Sequence, residues 1–148
     1  MKGTIIGVDL AKNVIQVCVF TNNKVYSNTE MAPNEFTGWL ANSAPVTIVF
    51  EACGMSNYWK QKAGSFGHEA KLISAKLVSA VRQNQKTDKN DALAIVQAAL
   101  LPEVNFITGK SLEQQQLQSI MRLRELAIKQ KTASSNQLIS LLAEFNIV

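Results

Sequence analysis

Residues 3–20 read GTIIGVDLAKNVIQVCVF, and the fold turns on how they divide. Two β-branched, apolar runs, GTIIGVDLA and NVIQVCVF, flank a short polar turn at Lys12-Asn13. Runs of this kind bounded by turn residues mark strands. TNNK at 21–24 supplies a second turn before VYSN, so the chain is expected to open as an antiparallel three-stranded meander. One residue is out of place. Asp9 sits near the end of the first apolar run, where a carboxylate is costly to bury unless it is paired or coordinated.

Outward from the meander, Pro33 is expected to open a helix as its first residue, with Phe36, Trp39 and Leu40 on one face. APVTIVFEACG at 44–54 reads as a short strand buried on both faces. Ser56 is expected to cap the next helix, whose Trp59, Ala63 and Phe66 share one buried side. Gly67 ends that helix, and EAKLIS at 69–74 reads as a fifth strand. Helices follow at about 75–83 and 88–101, the second stopped by Pro102. Three strands, helix, strand, helix, strand, then helices is the order of an α/β, ribonuclease H-like mixed five-stranded sheet with flanking helices. In that topology strands one and four are parallel neighbours.

From Ser111 to about Glu144 there is neither proline nor glycine, so one long helix is expected. Apolar residues gather at Leu117, Ile120, Met121 and Leu123, and again at Leu138, Leu141, Leu142 and Phe145, with the polar KQKTASSNQ between them. No heptad is sustained, so a helix packed on the core and a helix meeting other material at its two apolar ends both stay open. The expected division is residues 1–108 as the sheet domain and 109–148 as the long helix. The apolar LISLLAEFNIV at 138–148 leads us to expect a piece of something larger.

Composition narrows the function. With 148 residues, 47% hydrophobic and 18% charged, the chain can bury a core. A net charge of +4 favours an anionic partner only weakly, but its distribution says more. From Lys60 to Asp91 there are seven Lys or Arg against three acids, which is either a solvated face or a nucleic-acid surface. Cys18 and Cys53 form no CxxC pair and are expected to be buried free thiols of a reducing compartment. His68 is the single histidine, so zinc chemistry lacks a ligand set. Asp9 comes too early for a signal peptide and no run reaches membrane-spanning length, so a cytoplasmic protein without a membrane partner is expected.

The acids carry the chemistry. Glu51 closes VTIVFE much as Asp9 closes the first strand, and parallel neighbours would set the two side by side. Carboxylates that close repel each other and raise one another's pKa unless a cation intervenes, and hard oxygens suit Mg2+ or Mn2+. Two of the chain's three aspartates, Asp88 and Asp91, lie in RQNQKTDKNDALAI at 82–95. Their spacing fits a helix start, with Asp88 as N-cap and Asp91 at the third helical position. Capping and ligation are compatible. Four carboxylates at 9, 51, 88 and 91 could hold two metal ions roughly 4 Å apart on a phosphodiester. Lys12, Arg82, Lys86 and Lys89 are the candidates for neutralising a phosphate backbone, and for each an ordinary surface role stays open.

GVDLAKNVIQVCVF, FEACGMSNYW and KTDKNDALAI, taken in order, resemble the N-terminal DEDD domain of the insertion-sequence-110-type transposases, the group that includes the pilin-gene invertases. The resemblance spans essentially the whole chain, and in this domain the group resembles the RuvC-type Holliday-junction resolvases. It assigns Asp9 and Glu51 to the first two acids, and Asp88 and Asp91 to the closing DxxD pair, as ligands of Mg2+ or Mn2+, with two ions expected. It also implies DNA as substrate, a structured guide (bridge) RNA and a homo-oligomer with a composite site. The helix from Ser111 would begin a coiled-coil connector to a C-terminal domain bearing a serine nucleophile. The chain departs from many relatives at Ser74-Ala75, where they carry Asn-Pro.

Three other readings compete. A free-standing, magnesium-dependent endonuclease resembling the Holliday-junction resolvases would need only the four acids and water. IIGVDLAKN resembles the first phosphate loop of actin-like ATPases and sugar kinases, but the second aspartate-glycine loop and the glycine-rich adenosine site of that fold are not found in the sequence. A dimerisation module, with the acids as caps and surface charge, is the third.

Overall fold

A computed structural model describes residues 3–83 and 85–147. It divides into two compact units, Met1–Gly109 and Lys110–Val148. In the first, the expected meander is β1 (Ile5–Leu10), β2 (Ile15–Thr21) and β3 (Lys24–Met31). Asn22 and Asn23 both take positive φ in the second turn, a conformation asparagine tolerates. Then come α1 (Pro33–Asn42), β4 (Thr47–Glu51), α2 (Ser56–Ser65), β5 (Glu69–Ile73), α3 (Ala75–Val81) and α4 (Asp88–Ala99).

The five strands form one sheet in the order β3-β2-β1-β4-β5. β1 and β2 pair antiparallel, as do β2 and β3, whereas β4 runs parallel to both β1 and β5. This is the ribonuclease H-like arrangement expected from the sequence. Strand alternation sends Ile6, Val8, Val17, Ile48 and Phe50 to one face, where Phe36, Leu40, Trp59 and Ala63 of α1 and α2 cover them. The other face, with Ile5, Cys18, Val49 and Ile73, lies under α3 and α4. β4 is therefore buried on both sides, which is why its sequence is nearly all apolar.

Several local expectations need correction. Ser56 is the first residue of α2 rather than its cap, and its hydroxyl instead accepts from the Cys53 amide and donates to the Cys53 carbonyl, closing the β4–α2 turn. Phe66 falls beyond the last turn and is partly exposed. Cys53 is exposed in that same turn, whereas Cys18 is fully buried and burial pushes its thiol up to about 11. α4 ends at Ala99, short of Pro102. Ser74, at the departure from Asn-Pro, is the extended N-cap of α3. His68 is a buried staple, with Nε2 on the Leu40 carbonyl at 2.8 Å and Nδ1 accepting from the Val46 amide at 3.3 Å.

The second unit is α5 (Leu112–Ala143), whose 32 residues span about 48 Å. Ser111 starts it with a capping box to Gln114. None of its described residues is buried, so both apolar groups, at Leu117–Leu123 and Leu138–Phe145, are exposed. Among the described residues no helix is long and apolar enough to cross a membrane.

Candidate carboxylate site

Asp9 and Glu51 reach the same face of the sheet by simple alternation. Ile5 and Val49 point toward α4, so Asp9, four residues on, and Glu51, two residues on, do so as well. The β1–β4 register pairs Val8 with Phe50, and one further step sets Asp9 beside Glu51.

α4 is held over these acids by Gly7. A Cβ at Gly7 would lie 2.4 Å from the Ala92 carbonyl oxygen and 2.7 Å from Val96 Cγ2, so the absent side chain is what lets the helix sit down on β1. Contact at Ala92 puts the first turn of α4, with Asp88 and Asp91, beyond Gly7 toward Asp9. The positive end of the helix dipole then faces the acids. The N-cap, however, is Thr87 and not Asp88. Thr87 is extended (φ −139°, ψ 152°) and its Oγ1 accepts from the Asn90 amide at 3.3 Å. Asp88 thus becomes the first helical residue and Asp91 the fourth, a shift of one from the sequence expectation. The shift leaves both carboxylates out of the cap bond. Asp88 is exposed and Asp91 is buried.

Asp9 and Glu51 sense the acids around them. Burial raises the Asp9 carboxyl above its ordinary range, and the charges of Asp91 and Asp88 raise it further, against the Leu10 amide and Lys86. Glu51 is raised by burial first, then by Asp9 and Asp91, with Lys86 and Arg82 opposing. Asp91 has a direct partner: Arg82 Nη1 donates to Asp91 Oδ1 at 2.7 Å, with both side chains largely shielded. Among the described residues no three His, Cys, Asp or Glu side chains converge closely enough to hold an ion. The acids therefore share one electrostatic neighbourhood without forming a closed ligand set, and Asp91 is turned onto a guanidinium.

Two observations bear on whether a divalent cation suits these residues. Every donor is a hard oxygen, and Asp9 and Glu51 are raised by burial first and by neighbouring carboxylates second. Gln16, directly across from Asp9, is buried with its Oε1 unpartnered among the described residues. A surplus of acceptors without donors is what a hydrated cation relieves, so the donor chemistry fits. Arg82 engages the Oδ1 of Asp91, at the edge of that donor set.

Of the four basic candidates, Lys12 is exposed in the β1–β2 turn, while Lys86 and Lys89 are exposed on either side of Thr87. Arg82 is engaged by Asp91 instead of standing free. Gly7, Gln16 and the Arg82–Asp91 pair were not singled out in the sequence as parts of this neighbourhood. Only Gly7 left a signal, as a lone glycine inside an apolar strand.

Comparison with known proteins adds the following. A family model described as "Transposase", of the DEDD type in the insertion-sequence-110 group, matches residues 6–147. The transposase for insertion sequence element IS1111A of Coxiella burnetii is 33% identical over 144 residues, covering 97% of this chain and 40% of its own length. A probable family 20 transposase of Pseudomonas aeruginosa is likewise 33% identical, covering 97% and 43%. A pilin gene-inverting protein of Moraxella lacunata is 26% identical over 140 residues. The chain thus spans about two fifths of the length of the curated relatives it matches. The structure of T. thermophilus RuvC in complex with a Holliday junction substrate overlaps 71% of this chain and 99% of its own, at 12% identity and a TM-score of 0.47.

Proposed function

The chain belongs to the insertion-sequence-110 family of DEDD transposases, and from that premise we propose that it is the metal-dependent, nucleic-acid-binding part of a transposase that cuts and joins DNA strands. Residues 1–108 are the catalytic domain in this reading. Residues 109–148 begin the connector to a serine-bearing domain, without which recombination is incomplete. The family resemblance extends the proposal to a guide RNA and to a homo-oligomer that shares a composite site, acting in the cytoplasm.

What carries the reading is the placement of Asp9 and Glu51 at adjacent strand ends beneath the start of α4, where burial and neighbouring carboxylates raise both carboxyls. Four carboxylates from two strand ends and one helix start fall in one neighbourhood, and Asp9 and Glu51 feel the charge of the others. Asp9, Glu51, Asp88 and Asp91 would hold Mg2+ or Mn2+, two ions in the fullest form. Bound ions would supply charge stabilisation at a phosphodiester and lower the pKa of an attacking hydroxyl or water. The chain's own residues do the rest. Asp9 and Glu51 are fixed by the sheet register, and Asp91 by the docking of α4 over Gly7. Arg82, paired with Asp91 at the edge of the site, would offer its guanidinium to phosphate alongside Lys12, Lys86 and Lys89.

The test is binding of this chain to branched DNA in Mg2+ at several salt concentrations. Exchange of Lys12, Lys86 and Lys89 together for glutamine should flatten the plot of log affinity against log salt by about 0.9 per lost phosphate contact. An unchanged slope refutes the proposed surface. Cleavage of the junction by the chain alone, lost in Asp9→Ala, would favour the free-standing endonuclease instead.

A further inference from the structure

Gln16 is a buried polar residue that the catalytic proposal does not use. It lies on β2 in register with Asp9 of β1 on one side and Glu30 of β3 on the other. Directly opposed residues of antiparallel strands share a face, so all three belong to the α4 side. Its amide has two ends with different surroundings. Nε2 donates to Asn28 Oδ1 at 2.7 Å, and Asn28 Nδ2 in turn donates to the Lys89 carbonyl at 2.9 Å, in the first turn of α4. Oε1 is the buried side-chain atom without a partner among the described residues. Its neighbours in the cross-strand row are carboxylates, which have no hydrogen to give when ionised. A donor must therefore come from outside the row.

We propose that Gln16 is a positioning residue of the carboxylate site: through Asn28 it ties the start of α4 to the meander, and its Oε1 accepts a hydrogen bond from the hydration shell of a cation held by Asp9. The inference rests on the metal-binding reading and deepens it. The two-amide relay joins residues 61 apart in sequence at the turn that carries Asp88 and Asp91. Glutamine suits the position because it offers a donor to Asn28 and an acceptor to the site at once. A carboxylate there would lose the first, and an aliphatic side chain would lose both. Outer partners of this kind commonly change metal affinity about 10- to 100-fold when removed.

The experiment is Mn2+ binding, followed by the electron paramagnetic resonance signal of the free ion, on wild type, Asp9→Ala, Gln16→Met and Asn28→Ala. Amide hydrogen exchange and thermal unfolding without metal accompany it. Gln16→Met keeps the side-chain length and removes both the unpaired acceptor and the donor to Asn28, two opposing effects, so the fold should persist with a metal-free melting temperature close to that of the wild type. Its Mn2+ affinity should fall about tenfold. In both Gln16→Met and Asn28→Ala, the amides at the start of α4 should exchange faster without metal, a readout independent of the ion. Affinity of Gln16→Met within twofold of wild type, while Asp9→Ala abolishes binding, overturns this inference and leaves the metal site standing. Unchanged exchange at the start of α4 overturns the relay. Absence of Mn2+ binding by the wild type overturns the metal reading itself, and the role given to Oε1 with it.

Discussion

Replacing Gly7 with alanine tests how the site is assembled. The added Cβ would sit 2.4 Å from the Ala92 carbonyl oxygen, 2.7 Å from Val96 Cγ2 and 3.2 Å from the Val96 amide nitrogen. Comfortable contact for carbon begins near 3.5 Å, so α4 must retreat by about 1 Å. Two of the three obstacles are backbone and the third is a stiff β-branched side chain, so no rotamer change relieves the clash. Ala92, Ala94, Ile95, Val96, Ala98 and Ala99 are the buried apolar residues of that helix, and their packing would loosen with it. Overpacking of this kind costs about 3 kcal/mol at the upper end of its usual range. A narrower unfolded ensemble returns up to about 1 kcal/mol, for a net loss of about 2 kcal/mol. For a domain of this size that is a fall of about 10 °C in melting temperature. Thermal unfolding followed by circular dichroism measures it, with Gly38→Ala as the control. Gly38 lies within α1 and a methyl group there would meet no atom within 4 Å, so alanine should stabilise by up to about 1 kcal/mol. A Gly7→Ala chain as stable as wild type would refute the close approach, and with it the account of how Asp91 is held above Asp9.

Other outcomes follow from the same geometry. Arg82→Gln should raise Mn2+ affinity several-fold by removing the cation that competes for Asp91, while weakening DNA binding; calorimetry checks the first and fluorescence anisotropy the second. Asp9 and Glu51 have folded pKa values above their unfolded ones, so their contribution to stability is present at or below the ordinary carboxylate range and is lost as pH rises through the raised values. As pH rises above the ordinary carboxylate range the metal-free melting temperature should therefore fall less steeply in Asp9→Asn than in wild type, leaving the variant the more stable once Asp9 is ionised. His68→Phe leaves the Leu40 carbonyl and Val46 amide unpaired and should cost about 2–3 kcal/mol in urea unfolding without altering Mn2+ affinity.

The strands were legible because their patterns are local. β-branched runs broken by Lys12-Asn13 and TNNK admit few readings other than a meander, and a short apolar run such as TIVFE belongs in the middle of a sheet. Helix starts were legible only to within a residue. Thr87 and Asp88 are both good caps, as Met55-Ser56 is a poor-then-good pair, and the choice fell to backbone conformation set by the preceding loop. The order of the acids along the chain could be read, but not the environment of each. That Asp91 is buried on Arg82 depends on how the loop after α3 returns. That Gln16 is buried beside Asp9 depends on strand register and on a helix 61 residues beyond Asn28. The exposure of Cys53 has the same origin, since the β4–α2 turn closes through Ser56 and leaves the thiol outside.

The central claim is that Asp9, Glu51 and Asp91 form one cation site, and a Mn2+ titration followed by amide nuclear magnetic resonance tests it most directly. The account predicts paramagnetic broadening centred on the amides near residues 9, 51 and 91, and its loss in Asp9→Ala. Broadening that is absent, or scattered over the surface and unaffected by Asp9→Ala, would contradict it.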